Sequence, residues 1–368
     1  MASGSSIFAG TSYWSKMGQG VYRSDDNGES WVQKNFGIEV SATPYFTDLY
    51  MTGFAQTTGY IYTSTYANGI YRSANNGDNW VKVFDAYGPD SVYREILTMC
   101  SIGEAVFAGG QYGPVGVHRT FDQGQTWEVV STGLPTGFVV YQLTSSGSDL
   151  YVRGSHGFFW SPNNGDYFIS INNGISYQNG AASGAISAEG AVVYASTFDG
   201  SEGPRTYKST NRGGSWTVVS DLSVNYVQSL LVNGSNVFAG HIGNYGITSN
   251  GGGVMRSLDN GATWASANIG LSGVSCRALT SYGTDLFAGT YYYSGIFKST
   301  DAGATWAKSI LPGTTPNYQI LAMTTVGTIH FAGVNATNGV YKSVDNGVTW
   351  TQTTSIGKQV WALGANAT

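Results

Sequence analysis

Eight copies of one short box, Ser-x-Asp-x-Gly-x-Thr-Trp, run the length of this chain and leave few folds open to it. The box is clearest in the last two units. There Gly295-Ile-Phe-Lys leads into Ser299-x-Asp301-x-Gly303-x-Thr305-Trp306, and Gly339-Val-Tyr-Lys leads into Ser343-x-Asp345-x-Gly347-x-Thr349-Trp350. Earlier copies start at Ser24 (with Asp26), Ser73 (Asn75), Thr120 (Asp122), Ser161 (Asn163), Ser209 (Asn211) and Ser257 (Asp259). Their first residues lie 49, 47, 41, 48, 48, 42 and 44 apart. A repeat of this period is the length of one four-stranded propeller blade.

Each box position has a physical task. An Asp or Asn side chain bonds nearby backbone N–H groups and holds a tight turn. The Gly supplies the positive φ that such a turn needs. The Trp is a large apolar wedge for the gap between two sheets. A unit therefore reads as strand A (Arg277–Tyr282), a turn, strand B (Asp285–Gly289), a loop, strand C (Gly295–Lys298), the box, and strand D (Trp306–Ser309). The chain opens on a strand B, Ser6–Gly10, and closes on a strand A, Gln359–Leu363. The terminal strand then completes blade one, and the step from Ser343 through the chain ends to Ser24 is again 49 residues. The expected fold is all-β: a single eight-bladed β-propeller over 1–368, its four-stranded antiparallel blades closed by the C-terminal strand. An open solenoid, the alternative, needs distinct caps.

The boxes resemble the Asp-box, or BNR, repeat of sialidases, two-domain xyloglucanases, sortilin-type receptors, photosystem assembly factors and many secreted bacterial proteins. The wider stretch Gly270-Leu-Ser-Gly-Val-Ser-Cys-Arg-Ala-Leu, with Leu286-Phe-Ala-Gly-Thr, is similar to repeats of exported Bacteroidetes-type proteins. The resemblance covers the whole chain and implies the propeller. It implies no one activity, because the family holds enzymes, receptors and scaffolds.

Composition sets further bounds. The net charge is -5, with no basic block, which gives nucleic-acid binding no electrostatic support. No apolar run is long enough to span a membrane as a helix. Met1-Ala2-Ser3-Gly4-Ser5 is not a signal peptide. The low charge (11%) and the Tyr/Thr/Ser/Asn/Gly-rich composition nevertheless point to an extracellular or cell-surface protein whose export signal has been removed. Cys100 and Cys276 fall in different repeats and read as free, buried thiols.

Departures from the repeat are where function is expected. The B–C and D–A loops share one end of every blade, and the B–C loops carry Tyr13-Trp14, Tyr66, Gln111-Tyr112, Ser155-His156, Phe198-Asp199, Glu202, His241, Tyr245, the run Tyr291-Tyr292-Tyr293, and Asn335. Variable loops on a rigid scaffold are common binding surfaces. We assign Tyr13, Trp14, Tyr112, His156, Tyr245, Tyr291, Tyr292 and Tyr293 as candidate contacts to a glycan or an extracellular protein, against the plainer reading that they pack loops. The expected cofactor and metal are none, and oligomeric state is not legible.

Catalysis has weaker support. The resemblance to sialidases would require an arginine trio, yet Arg23, Arg72, Arg119 and Arg256 share one repeat position with Lys208, Lys298 and Lys342, which points to structure. Sialidases, moreover, have six blades. A glycosidase needs two convergent carboxylates, and the acids outside the boxes are Glu39, Asp48, Asp90, Glu95, Asp199, Glu202 and Asp221. A polysaccharide lyase would need a base, for which His156 and His241 are candidates in B–C loops. His118 and His330 read as structural. Glu95, His156 and His241 are the residues a hydrolase or lyase would use. A third reading is a structural or adhesion module.

Overall fold

The computed structural model describes all residues except 1–5, 12–18, 40–48, 87–94, 112–115, 177–183, 200–202, 220–225, 243–252, 272–274, 291–294, 310, 313–318, 336–338, 355, 357–358 and 366–368. The chain is an all-β, eight-bladed β-propeller. It forms eight four-stranded antiparallel sheets, with no helix among the described residues. Seven sheets follow chain order from strand A to strand D. In the first, Val360–Ala365 pairs with Ile7–Thr11, so the end of the chain supplies the strand A that the beginning lacks.

By contacts the chain divides into two units. One comprises residues 1–172 with 358–368 and carries blades one to four; the other comprises 173–357 and carries blades five to eight. Within each unit the core lies between successive sheets. Trp80 packs with Phe8, Val21, Met51 and Tyr71 between blades one and two. In the second unit Trp306 fills the seam between blades six and seven, and Trp350 that between seven and eight. Strand D begins one residue after the Trp and is as short as Ala307–Lys308, because the Trp itself turns into the seam.

The boxes form the expected turns. In blade seven, Ser299 Oγ accepts from Gly303 N (2.8 Å) and donates to Asp301 Oδ1 (2.8 Å). Asp301 then accepts from Thr305 N (2.9 Å) and Thr305 Oγ1 (2.6 Å). Asn does the backbone part of this work in blades two and five, accepting from Asn79 N and Ser215 N at 2.9 Å. Blade four is the loosest, with Tyr167 N to Asn163 Oδ1 at 3.4 Å. Among the described residues, the eight non-glycine residues with positive φ (52–63°) are the fourth residue of each box.

That fourth residue explains five of the seven periodic cations. The Arg23, Arg72 and Arg119 guanidinium groups each donate to its carbonyl in the following blade, on Asn76, Gln123 and Asn164. Lys208 and Arg256 do the same to Asn260 and Ala302. Their role is to cap a turn carbonyl across the seam, which gives the structural reading of these cations a specific task.

A second link uses the D–A connection. Trp80 N, Phe168 N and Trp306 N donate to Phe36, Thr132 and Ile269 carbonyls of the preceding blade at 2.8–2.9 Å. Gly270, at φ +93°, lies so close to this bond that a Cβ there would sit 2.0 Å from the Trp306 carbonyl oxygen.

Both cysteines are free. Cys276 is buried, but Cys100 is only half-buried, in strand Glu95–Ile102, five of whose eight residues are half-buried. Burial pushes both thiols up to about 12, so neither is a thiolate at neutral pH.

Candidate functional site

Strand A is irregular at one place in seven of the blades. The register with strand B shifts by one residue near its start, as between Met51 and Gly53, Ile96 and Thr98, and Val140 and Gln142. Such bulges re-aim side chains. These sit at the end of the blade where the B–C and D–A connections lie. Three blades, one, two and seven, fasten that end in one way. Thr11, Thr65 and Thr290 close strand B, and their hydroxyls donate to the Gly20, Gly69 and Gly295 carbonyls at 2.9–3.2 Å.

Blades three and four lack this clasp. Gly110 and Gly154 replace the threonine, and the A and B backbones close up. A Cβ on Gly110 would lie 1.5 Å from the Glu95 carbonyl oxygen, and one on Gly154 would lie 2.2 Å from that of Val139. Beyond Gly110, Gln111 Nε2 donates to Glu95 Oε2, and the Glu95 side chain is 4% exposed. Beyond Gly154, Ser155 Oγ accepts from Val139 N (3.0 Å) and lies 2.9 Å from Nδ1 of the exposed His156. The His156 ring is 6.2 Å from Phe138.

Blade two presents an aromatic pair at the same level. Tyr66 N donates to the Tyr50 carbonyl at 2.8 Å, and the two half-buried rings lie 5.3 Å apart at 51°. In blade four, Arg153 occupies a strand-B position that is Gly or Ser in the other seven blades. Burial lowers its pKa to about 10, which leaves it charged at neutral pH. Its Nε donates to Gln142 Oε1 (3.3 Å), and its guanidinium lies 5.7 Å from the Tyr141 ring centroid.

The first unit thus offers, on three successive blades, tyrosine rings, a buried carboxylate–amide pair, a half-buried guanidinium and an exposed imidazole. This set can stack on a ring and exchange hydrogen bonds with hydroxyl or amide groups. The box carboxylates are committed elsewhere. Thr126 and Thr120 bonds hold Asp122 down at about 2, and Asp301 is held there likewise by Thr305 and Ser299. Asp78, Glu128 and Asp166 pair with Arg23 or Arg119.

Of the residues singled out in sequence, Glu95 and His156 lie at this end of blades three and four. Glu95 starts a strand and is no loop acid. His241 corrects an expectation: it lies within strand Asn236–Ile242, paired with Val227 and Gly253, and is 4% exposed. The B–C hairpin of blade six simply runs further than its glycines implied. Tyr13, Trp14, Tyr112, Tyr245, Tyr291, Tyr292 and Tyr293 lie outside the described residues. Tyr50 and Arg153 went unassigned. Aligning the repeat columns would have found Arg153, the one bulky residue in a column of Gly and Ser.

No protein-family model matches the chain, and no curated protein matches it in sequence. Solved structures do resemble it. The GH74 xyloglucanase of Xanthomonas campestris is 14% identical with a TM-score of 0.54, over 96% of this chain and 66% of that one. An ancestral GH74 enzyme is 15% identical with a TM-score of 0.51, over 92% and 53%. The computationally designed Ika8 protein is 11% identical with a TM-score of 0.58, over 89% and 93%. At these identities the likeness is one of fold. No described helix is long and apolar enough to cross a membrane.

Proposed function

We propose that the chain is a secreted Asp-box propeller that binds a glycan or an extracellular protein through the B–C/D–A ends of blades two to four and performs no chemistry there. The observation that carries this reading is the conjunction of the Tyr50–Tyr66 ring pair with Glu95–Gln111 on the next blade. Tyrosine faces give apolar area at low entropic cost, and buried amide and carboxylate groups give directional hydrogen bonds. Arg153 adds a cation on the following blade. Tyr112 of the adjoining loop would extend the same surface, and His156 would line its edge. Tyr13 and Trp14, and in the second unit Tyr245 and Tyr291–Tyr293, are proposed contacts on the corresponding ends of their own blades.

A glycan array and a polysaccharide turnover panel, run on the same preparation, test this. Binding without turnover is expected. Turnover that is abolished by Glu95→Gln would replace the binding reading with a hydrolase or lyase.

A further inference from the structure

One core position of blade eight breaks the repeat. The residue of strand B that pairs with the first box residue is Ile, Val or Leu in seven blades, as at Ile7, Val106 and Leu286. In blade eight it is His330, which pairs with Ser343 and has no exposed surface. A polar side chain in an aliphatic column is costly unless both ring nitrogens are bonded, and here both are. Nδ1 lies 3.0 Å from Thr325 Oγ1, and Nε2 lies 3.1 Å from Asn346 Oδ1.

The network continues into blade seven. Asn346 Nδ2 donates to Asp285 Oδ2 (2.7 Å), which also takes Lys298 Nζ at 2.9 Å. Because Asn346 presents its oxygen to the ring, Nε2 carries the proton, and Nδ1 accepts from the Thr325 hydroxyl. The pattern satisfies a neutral imidazole. An imidazolium keeps the Asn346 bond and can turn the Thr325 hydroxyl into an acceptor, but it places a full charge, with neither ring nitrogen on a carboxylate, inside a cage of Phe287, Tyr282 and Trp350.

We propose that His330 is an acid-sensitive latch, which in its neutral form ties the box of blade eight to blade seven and on protonation loosens that seam. The charged and titratable groups around it are Lys298, Asp285 and Tyr282 of blade seven and Asp345 of blade eight. Burial and Lys298 disfavour the cation, while the Asn346 bond, Asp285 and Asp345 favour it, and the balance holds His330 below its ordinary value. Lys298 already lies over the Phe287 face, at 5.9 Å. The unfolded chain therefore binds this proton more readily than the folded one. The stabilisation is complete above the ordinary histidine range near pH 6.5 and is lost as pH falls through the folded-state value. The box turn sits directly on this seam: Asn346 is its left-handed residue, and Gly347 packs so tightly on Phe287 that a Cβ would lie 2.1 Å from the ring.

The test is a histidine NMR titration of the full chain, combined with equilibrium unfolding between pH 5 and 8 for wild type, His330→Leu and Asp285→Asn. We expect the wild-type His330 midpoint below 6.5 and a folding constant that falls by up to about tenfold per pH unit within the window. His330→Leu, which restores the repeat residue, should lose this component, and Asp285→Asn should move the midpoint lower. A His330 midpoint at or above 6.5 overturns the proposal, even if His330→Leu does not fold. The same pH slope in wild type and a folded His330→Leu also overturns it.

Discussion

The residue that recurs with the most work to do is the first Ser or Thr of each box. Ser299 is 1% exposed, accepts from Gly303 N and donates to Asp301. Ser299→Ala leaves a buried N–H without its acceptor and should cost about 1–3 kcal/mol, read from urea unfolding. The paired carboxylates set an acid limit. Asp122 and Asp301, held near 2 by their threonine bonds, contribute stability that is full above the ordinary carboxylate range and is lost as pH falls through about 2. Asp122→Asn with Asp301→Asn should flatten the acid limb of a pH–stability profile, because an amide keeps the backbone bond, as Asn75 does, and does not titrate.

Among elements, the D–A connection is the most exacting. Gly270→Ala places a Cβ 2.0 Å from the Trp306 carbonyl at φ +93°, so both sterics and backbone oppose it. It should destabilise by at least about 1–3 kcal/mol in calorimetry, and by more than Gly283→Ala, which also has a positive φ (+58°) but nothing within 4 Å of the added Cβ. Elements were legible in sequence wherever local chemistry fixes them. Ser-x-Asp-x-Gly has one good turn to make, and the Phe-Ala-Gly stretches have one strand. The cluster at blades two to four was only half legible. Gln111 and His156 stood out as loop residues, but Tyr50 faces Tyr66 only because strand A is bulged, and a one-residue register shift leaves no mark on composition. His241 misled because Gly240, which reads as the end of a strand, instead admits the neighbouring Cys276, 3.0 Å from its ideal Cβ.

At the scale of the whole molecule, the sheet shared by the two chain ends is decisive. Removing residues 358–368 strips Ile7–Thr11 of its strand-A partner and exposes a fully buried strand edge. The truncated chain should aggregate on refolding, as measured by light scattering, while the full chain stays dispersed. The same repetition that fixes the fold also accounts for most of the polar side chains that sequence alone would offer to catalysis, because box acids and seam cations are bonded within and between blades. Function is left to what breaks the repeat. The most direct measurement is titration calorimetry of the strongest array ligand against wild type, a Tyr66→Ala/Gln111→Ala double variant, and a Tyr60→Ala variant at the opposite end of blade two. The binding account predicts at least a tenfold loss of affinity in the double variant with Tyr60→Ala unchanged; equal affinity in all three, or loss only with Tyr60→Ala, would contradict it.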